Sequence, residues 1–240
     1  MSRIIVGQHS SPSGPARSRG VRQPRATLRR MGRTPPPLAK PVADIPSGSL
    51  AALRREAAGC RRCDLWREAS QTVFGVGPAR ARLMVIGEQP GDREDQVGKP
   101  FVGPAGELLR TLMAQAGLDP AALYLTNIVK HFKFQQRGKR RLHQRANAAE
   151  QAACRPWLAA EMARVQPMLV LALGAMAAQT VFGTGFRLSV ERGQWRELDA
   201  RTRAMASWHP SAILRMREPQ RSATEALLLR DLRSVARALA

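Results

Sequence analysis

With 240 residues and a formal charge of +21 at pH 7, the chain has room for one full domain with an appendage, and its charge favours polyanionic partners. Three cysteines cannot all pair, which excludes a complete disulfide framework and points to a reducing compartment. The longest apolar run, Met168 to Ala178, has eleven residues against the roughly 20 that span a bilayer, and Ile4-Ile5-Val6 is too short for a secretory core; neither a membrane span nor export is expected.

Residues 1–45 are rich in Ser, Pro, Gly and Arg, with eight Arg, Lys40 and a single acid, Asp44, for a segment charge of +8. Such a composition buries too little apolar surface to order itself, so 1–45 reads as a basic tail and 46–240 as the folded domain. The pattern predicts a helix over 47–58, a strand at 83–86, a helix over 105–116 stopped by Gly117, and a strand over 124–129. A helix over 148–165, a strand at 168–173, a short helix to Phe182, a weaker strand at 204–208 and a last amphipathic helix through Leu228, Leu232, Val235 and Leu239 complete the series. Strands alternating with helices imply an α/β fold of three layers around a mostly parallel, four-stranded sheet.

Ligands of such sheets sit beyond the carboxyl ends of the strands. Glu88 and Gln89 follow the first strand, Asn127 closes the second, and His209 follows the fourth. Gly91 and Gly103-Pro104-Ala105-Gly106 make glycine-bearing turns that admit a base or phosphate near backbone N–H groups, although neither has the P-loop or dinucleotide-binding spacing. Between Lys130 and Arg145 seven of sixteen residues are Lys or Arg and none is acidic. Lys139-Arg140-Arg141-Leu142-His143 ends this cationic run on a histidine, either a phosphate contact or a reactive group. Cys60, Cys63 and Cys154 suggest a metal or cluster site that lacks one ligand, for which His131 is the best fourth donor. By ligand type, zinc and an iron–sulfur cluster both fit, while Cys154 could equally be a buried thiol and His131 a phosphate contact.

Four segments in order carry a resemblance: Gly87-Glu88-Gln89-Pro90-Gly91-Asp92, Gly98 to Gly106, Thr126 to Lys130, and His209-Pro210-Ser211. They resemble the motifs of the iron–sulfur (family 4) uracil-DNA glycosylases over residues 48–238. Val129 to Phe134 and Lys139 to His143 are similar, more narrowly, to the UdgX branch, where the basic motif commonly ends Ile-His rather than Leu142-His143. The resemblance implies a [4Fe–4S] cluster held by Cys60, Cys63, His131 and Cys154. It implies a uracil pocket of Gln89, Asp92, Phe101 and Asn127, with Phe101 stacking on the base and Asn127 reading its edge. His209 would donate to the departing uracil, and Glu88 would orient His143, the group that captures the abasic sugar covalently. Lys139, Arg140, Arg141 and Ser211 would contact DNA. The protein is then expected to be a cytoplasmic, nucleoid-associated bacterial monomer whose partner is uracil-containing DNA, single-stranded by preference. A conventional turnover glycosylase and a non-catalytic iron–sulfur module that binds nucleic acid are the alternatives.

Overall fold

Leu83–Gly87 (β1) and Leu169–Leu173 (β5) are buried at every position, the mark of strands covered on both faces. Alternate residues of each strand feed opposite sides. Met84, Ile86, Tyr124, Val170, Ala172, Ala204 and Ala206 pack into one apolar layer, and Leu83, Val85, Leu169, Leu171, Leu173 and Met205 into the other. The computed structural model describes residues 42–240. The expectation of a tail over 1–45 therefore falls almost wholly outside the described residues.

The first layer is closed by helices α1 (Leu50–Ala58), α4 (Ala148–Val165) and α5 (Gly174–Phe182), and the second by α3 (Pro104–Gln115) and α8 (Gln220–Leu239). Helix α1 starts later than the apolar pattern suggests, because Ser49 caps it by accepting the Ala52 N–H at 3.2 Å. Helix α4 has the predicted bounds, set by a reciprocal Asn147–Glu150 capping box and a left-handed Gln166.

The central sheet has five strands in the order β2 (Tyr124–Asn127), β1, β5, β7 (Arg203–Ser207) and β6 (Arg196–Glu197). The first four are parallel, as expected, and the two-residue β6 adds an antiparallel edge. The expected count of four misses it because two residues carry no periodicity. In register, Gly87 lies opposite Asn127, so β1 and β2 end side by side.

The cationic stretch is a second, separate structure. Phe134–Arg137 (β3) and Arg140–His143 (β4) pair as an antiparallel hairpin, with Phe134 opposite His143. Its two-residue turn is Gly138-Lys139, and Gly138 supplies the positive φ of 58° that such turns need.

Candidate active site

Gln89, Gly91, Glu94, Phe101, Ala105, Asn127, His143, His209 and Ser211 enclose a cavity of about 90 Å³ beyond the ends of β1 and β2. Glycine at position 87 lets two of them meet: a Cβ there would lie 2.3 Å from Asn127 Oδ1 and 2.7 Å from Phe101 Cζ. Phe101 lies nearly parallel to the His209 ring, with centroids 6.1 Å apart and planes inclined by 25°. Glu94 ties the two glycine turns together, accepting from Gly91 N–H at 3.1 Å and Gly103 N–H at 2.7 Å. Sequence reasoning missed Glu94, which lies in a short helix α2 (Asp92–Val97) between the two glycine-bearing turns.

His209 caps the short helix α7 (Pro210–Leu214), and its Nδ1 accepts from Ser211 N–H at 3.1 Å, with Ser211 Oγ 2.8 Å away. Nδ1 is thereby an acceptor, which leaves the proton of the neutral ring on Nε2. Burial, then the Arg215 cation and the second imidazole, push its pKa down to about 4, so the ring is a neutral donor at pH 7. Ser211, expected as a DNA contact, is here the residue that fixes this tautomer.

His143 reaches the cavity from the end of β4. Burial first, and then Arg215, lower its pKa, while the nearby Glu88 carboxylate pulls the other way. The basic residues beside it in sequence are not the cause. After burial, the cation that lowers its pKa is Arg215, which acts on both histidines although no motif singles it out.

Three residues behind this arrangement make contacts that the sequence does not foretell. Gln89, expected in the uracil pocket, lines the cavity, and its side-chain amide is bonded to the base of the hairpin. It donates to the Gln144 carbonyl at 2.9 Å and the Lys133 carbonyl at 3.3 Å, and its Oε1 accepts Ala146 N–H at 3.0 Å. Arg141, expected on DNA, spends its guanidinium on Asp92 at 2.5 Å, the fully buried Asp95 at 2.6 Å and Ser70 Oγ at 3.2 Å. Asp92 is thus held by Arg141 and lines the outer face of the hairpin instead of the base cavity. The reason is reach: the hairpin folds back across α2, so opposite charges 49 positions apart become neighbours. Lys139 and Arg140 stay exposed and have no carboxylate partner among the described residues.

The profile of the Uracil DNA glycosylase superfamily matches residues 74–233, which include every residue that lines the cavity. The chain belongs to the uracil-DNA glycosylase superfamily. It is 32% identical over 173 residues to a type-4 uracil-DNA glycosylase of Archaeoglobus fulgidus, a span of 69% of this chain and 83% of that protein. A type-4 enzyme of Thermotoga maritima is also 32% identical, over 66% of this chain and 79% of its own length. For a type-4 enzyme of Sulfurisphaera tokodaii the identity is 30%, over 69% and 76%.

On the far side of Lys130 this superfamily member gathers its thiols. Cys60 and Cys154 are buried and Cys63 partly so, and burial pushes the Cys154 thiol up to about 12, with Cys63 and Cys60 close enough to add to the rise. Two N–H groups point at sulfur: Trp157 Nε1 at 3.1 Å from Cys60 Sγ, and the Lys130 amide at 3.2 Å from Cys154 Sγ. Such donors favour thiolate ligands. His131 is buried next to Lys130, and its Nε2 lies 3.0 Å from Thr72 Oγ1, a hydroxyl that also bonds Ala57 three residues before Cys60. Its Nδ1 is buried with no hydrogen-bond partner. Three thiols and an imidazole nitrogen without a partner are donor types that an iron–sulfur group accepts. Among the described residues no three or more such donors close on a single-ion position, and a multi-iron cluster is larger than one ion.

Proposed function

We propose that this protein excises uracil from DNA and keeps the abasic product through a covalent bond to His143, as in the UdgX branch of the family. The single observation that carries this reading is the entry of His143 into the same small cavity as His209, Asn127 and Phe101. A hydrolytic enzyme needs only the last three and a water. A neutral imidazole at the cavity mouth is a nucleophile as well.

A base must leave the stack to enter such a cavity, at a cost of roughly a few kcal/mol in a duplex and least in single strands, so single-stranded DNA is the better substrate. Phe101 packs on the uracil face and Asn127 pairs with its edge. The C1′–N1 bond breaks with its electron pair passing to uracil, and His209 Nε2–H stabilises the negative charge that develops on the base oxygen. A His143 nitrogen then gives its lone pair to C1′, forming the N–C1′ bond. The alkylated ring releases its other N–H proton toward Glu88, which leaves a neutral substituted imidazole. Gln89 and Arg141 are positioning residues here: they hold the two ends of the hairpin that presents His143.

Cys60, Cys63, Cys154 and His131 are the residues that would hold a [4Fe–4S] cluster, whose contribution is to cross-link the segments around residues 60, 131 and 154. The family resemblance and the unpartnered His131 Nδ1 support it.

The test is incubation with a uracil-containing oligonucleotide, followed by a denaturing gel and an assay for free uracil. A denaturation-resistant protein–DNA band that disappears in His143→Ser, while uracil release continues, is expected. Uracil release with no band would make the protein a conventional turnover glycosylase. Neither signal, with binding retained, would leave a non-catalytic module.

A further inference from the structure

The geometry points to Arg110 as the positioning residue that sets the shape of the base-stacking wall. This rests on the reading that Phe101 packs on the extruded base. Phe101 has a φ of 57°, the left-handed region that a residue with a Cβ occupies only under constraint. Without constraint its backbone would relax to the extended region and carry the ring away from the cavity.

Three neighbours bear on that conformation. Gly87 leaves room for the ring tip, since a Cβ there would lie 2.7 Å from Phe101 Cζ. Gly106 receives the backbone: a Cβ there would stand 1.8 Å from the Phe101 carbonyl oxygen, so only glycine lets α3 sit under this peptide. Both glycines permit the conformation, but neither attracts it. Attraction comes from Arg110, whose Nη1 donates to the Phe101 carbonyl at 2.6 Å. Arg110 stands four residues after Gly106, on the same face of α3 one turn further on, so the helix presents the glycine gap and the cation to a single carbonyl. The bond is charge-assisted and short, and it turns the 101–102 peptide away from its relaxed orientation. Helix α3 thus determines the angle of the Phe101 ring against His209 and against a bound base.

The experiment compares wild type, Arg110→Ala and Arg110→Lys in three measurements: affinity for free uracil, the single-turnover rate of uracil release with the oligonucleotide concentration that half-saturates it, and amide hydrogen exchange over residues 99–106. Arg110→Ala is expected to weaken uracil binding by roughly tenfold and to raise the half-saturating oligonucleotide concentration with little change in the melting temperature, as loss of one charged hydrogen bond predicts. Exchange at Val102 and Gly103 should quicken, and Arg110→Lys should recover most of the affinity. Unchanged uracil affinity with weaker, salt-dependent DNA binding would overturn the proposal and make Arg110 a phosphate contact. A lower melting temperature in Arg110→Ala, with no selective change in uracil affinity or exchange, would overturn it too. If wild type neither binds nor releases uracil, the base-pocket reading fails, while the exchange data still report whether Arg110 holds Phe101.

Discussion

Arg141 Nη1 lies 2.6 Å from Asp95 Oδ2, and Asp95 is completely buried. A carboxylate taken out of water needs its counter-charge, and Asp95 also accepts from the Ser70 N–H at 3.0 and 3.1 Å. The same guanidinium lies over Phe132 and Phe134, at 5.4 and 5.1 Å from their centroids, so it joins the hairpin core to α2. His143 sits two residues further along β4. Its place over the cavity therefore depends on a salt bridge made on the other side of the hairpin.

Arg141→Ala should destabilise the fold by about 3 kcal/mol, because it strands a buried charge. Covalent capture should fall more than uracil release, since His209, Asn127 and Phe101 do not ride on the hairpin. Thermal melting and parallel measurement of band formation and free uracil check this. Equal losses in both reactions would show that the hairpin serves binding in general.

The histidines predict an acid limb. His209 has a pKa of about 4 in the fold against roughly 6.5 in the unfolded chain. Its contribution to stability is intact above about pH 6.5 and is lost as pH falls toward 4, because the unfolded chain takes up the proton first. Uracil release should hold from neutral pH to about 5 and fail below it. Capture also needs His143 unprotonated, and because the His143 pKa lies below its ordinary value, capture should persist at neutral pH and be lost on the acid side.

Arg215 lowers both values, so Arg215→Gln should raise both and move both acid limbs to higher pH. Rate–pH profiles of release and capture measure this. A profile that does not move would remove Arg215 from the electrostatics of the site.

Salt should weaken DNA binding through the exposed cations of the hairpin. Arg137, Lys139, Arg140 and Arg145 are exposed, and Arg141 is not counted because it is paired. About four single-strand phosphate contacts give a slope near −3 in log affinity against log salt. Lys139→Ala should reduce its magnitude by about 0.7, and titration at several salt concentrations tests both figures.

Iron content tests the cluster. The purified protein should be brown, His131→Ala should lose most of its iron, and His131→Cys should keep it. Colourless protein carrying zinc would replace the cluster with a metal ion.

The sheet and its covering helices were legible in the sequence because apolar periodicity is local. Buried runs at 83–87 and 169–173 and the capped 148–165 helix needed no knowledge of what they pack against. Placement of Glu88, Asn127 and His209 at or just beyond strand ends followed from that alone. What the cationic run does was decided only in three dimensions. Its composition reads as a phosphate grip, but folding sends Arg141 to Asp92 and Asp95, stacks Phe132 on Phe134, and leaves His143 at the cavity. Gln89 reads as a pocket group, and the fold makes it also the tie at the hairpin base, while Arg215 has no motif yet tunes both imidazoles. The physical reason is the same in each case. A helix or strand is set by neighbours a few residues away, whereas the partner of a charged or amide side chain is whichever group the tertiary fold brings within 3 Å.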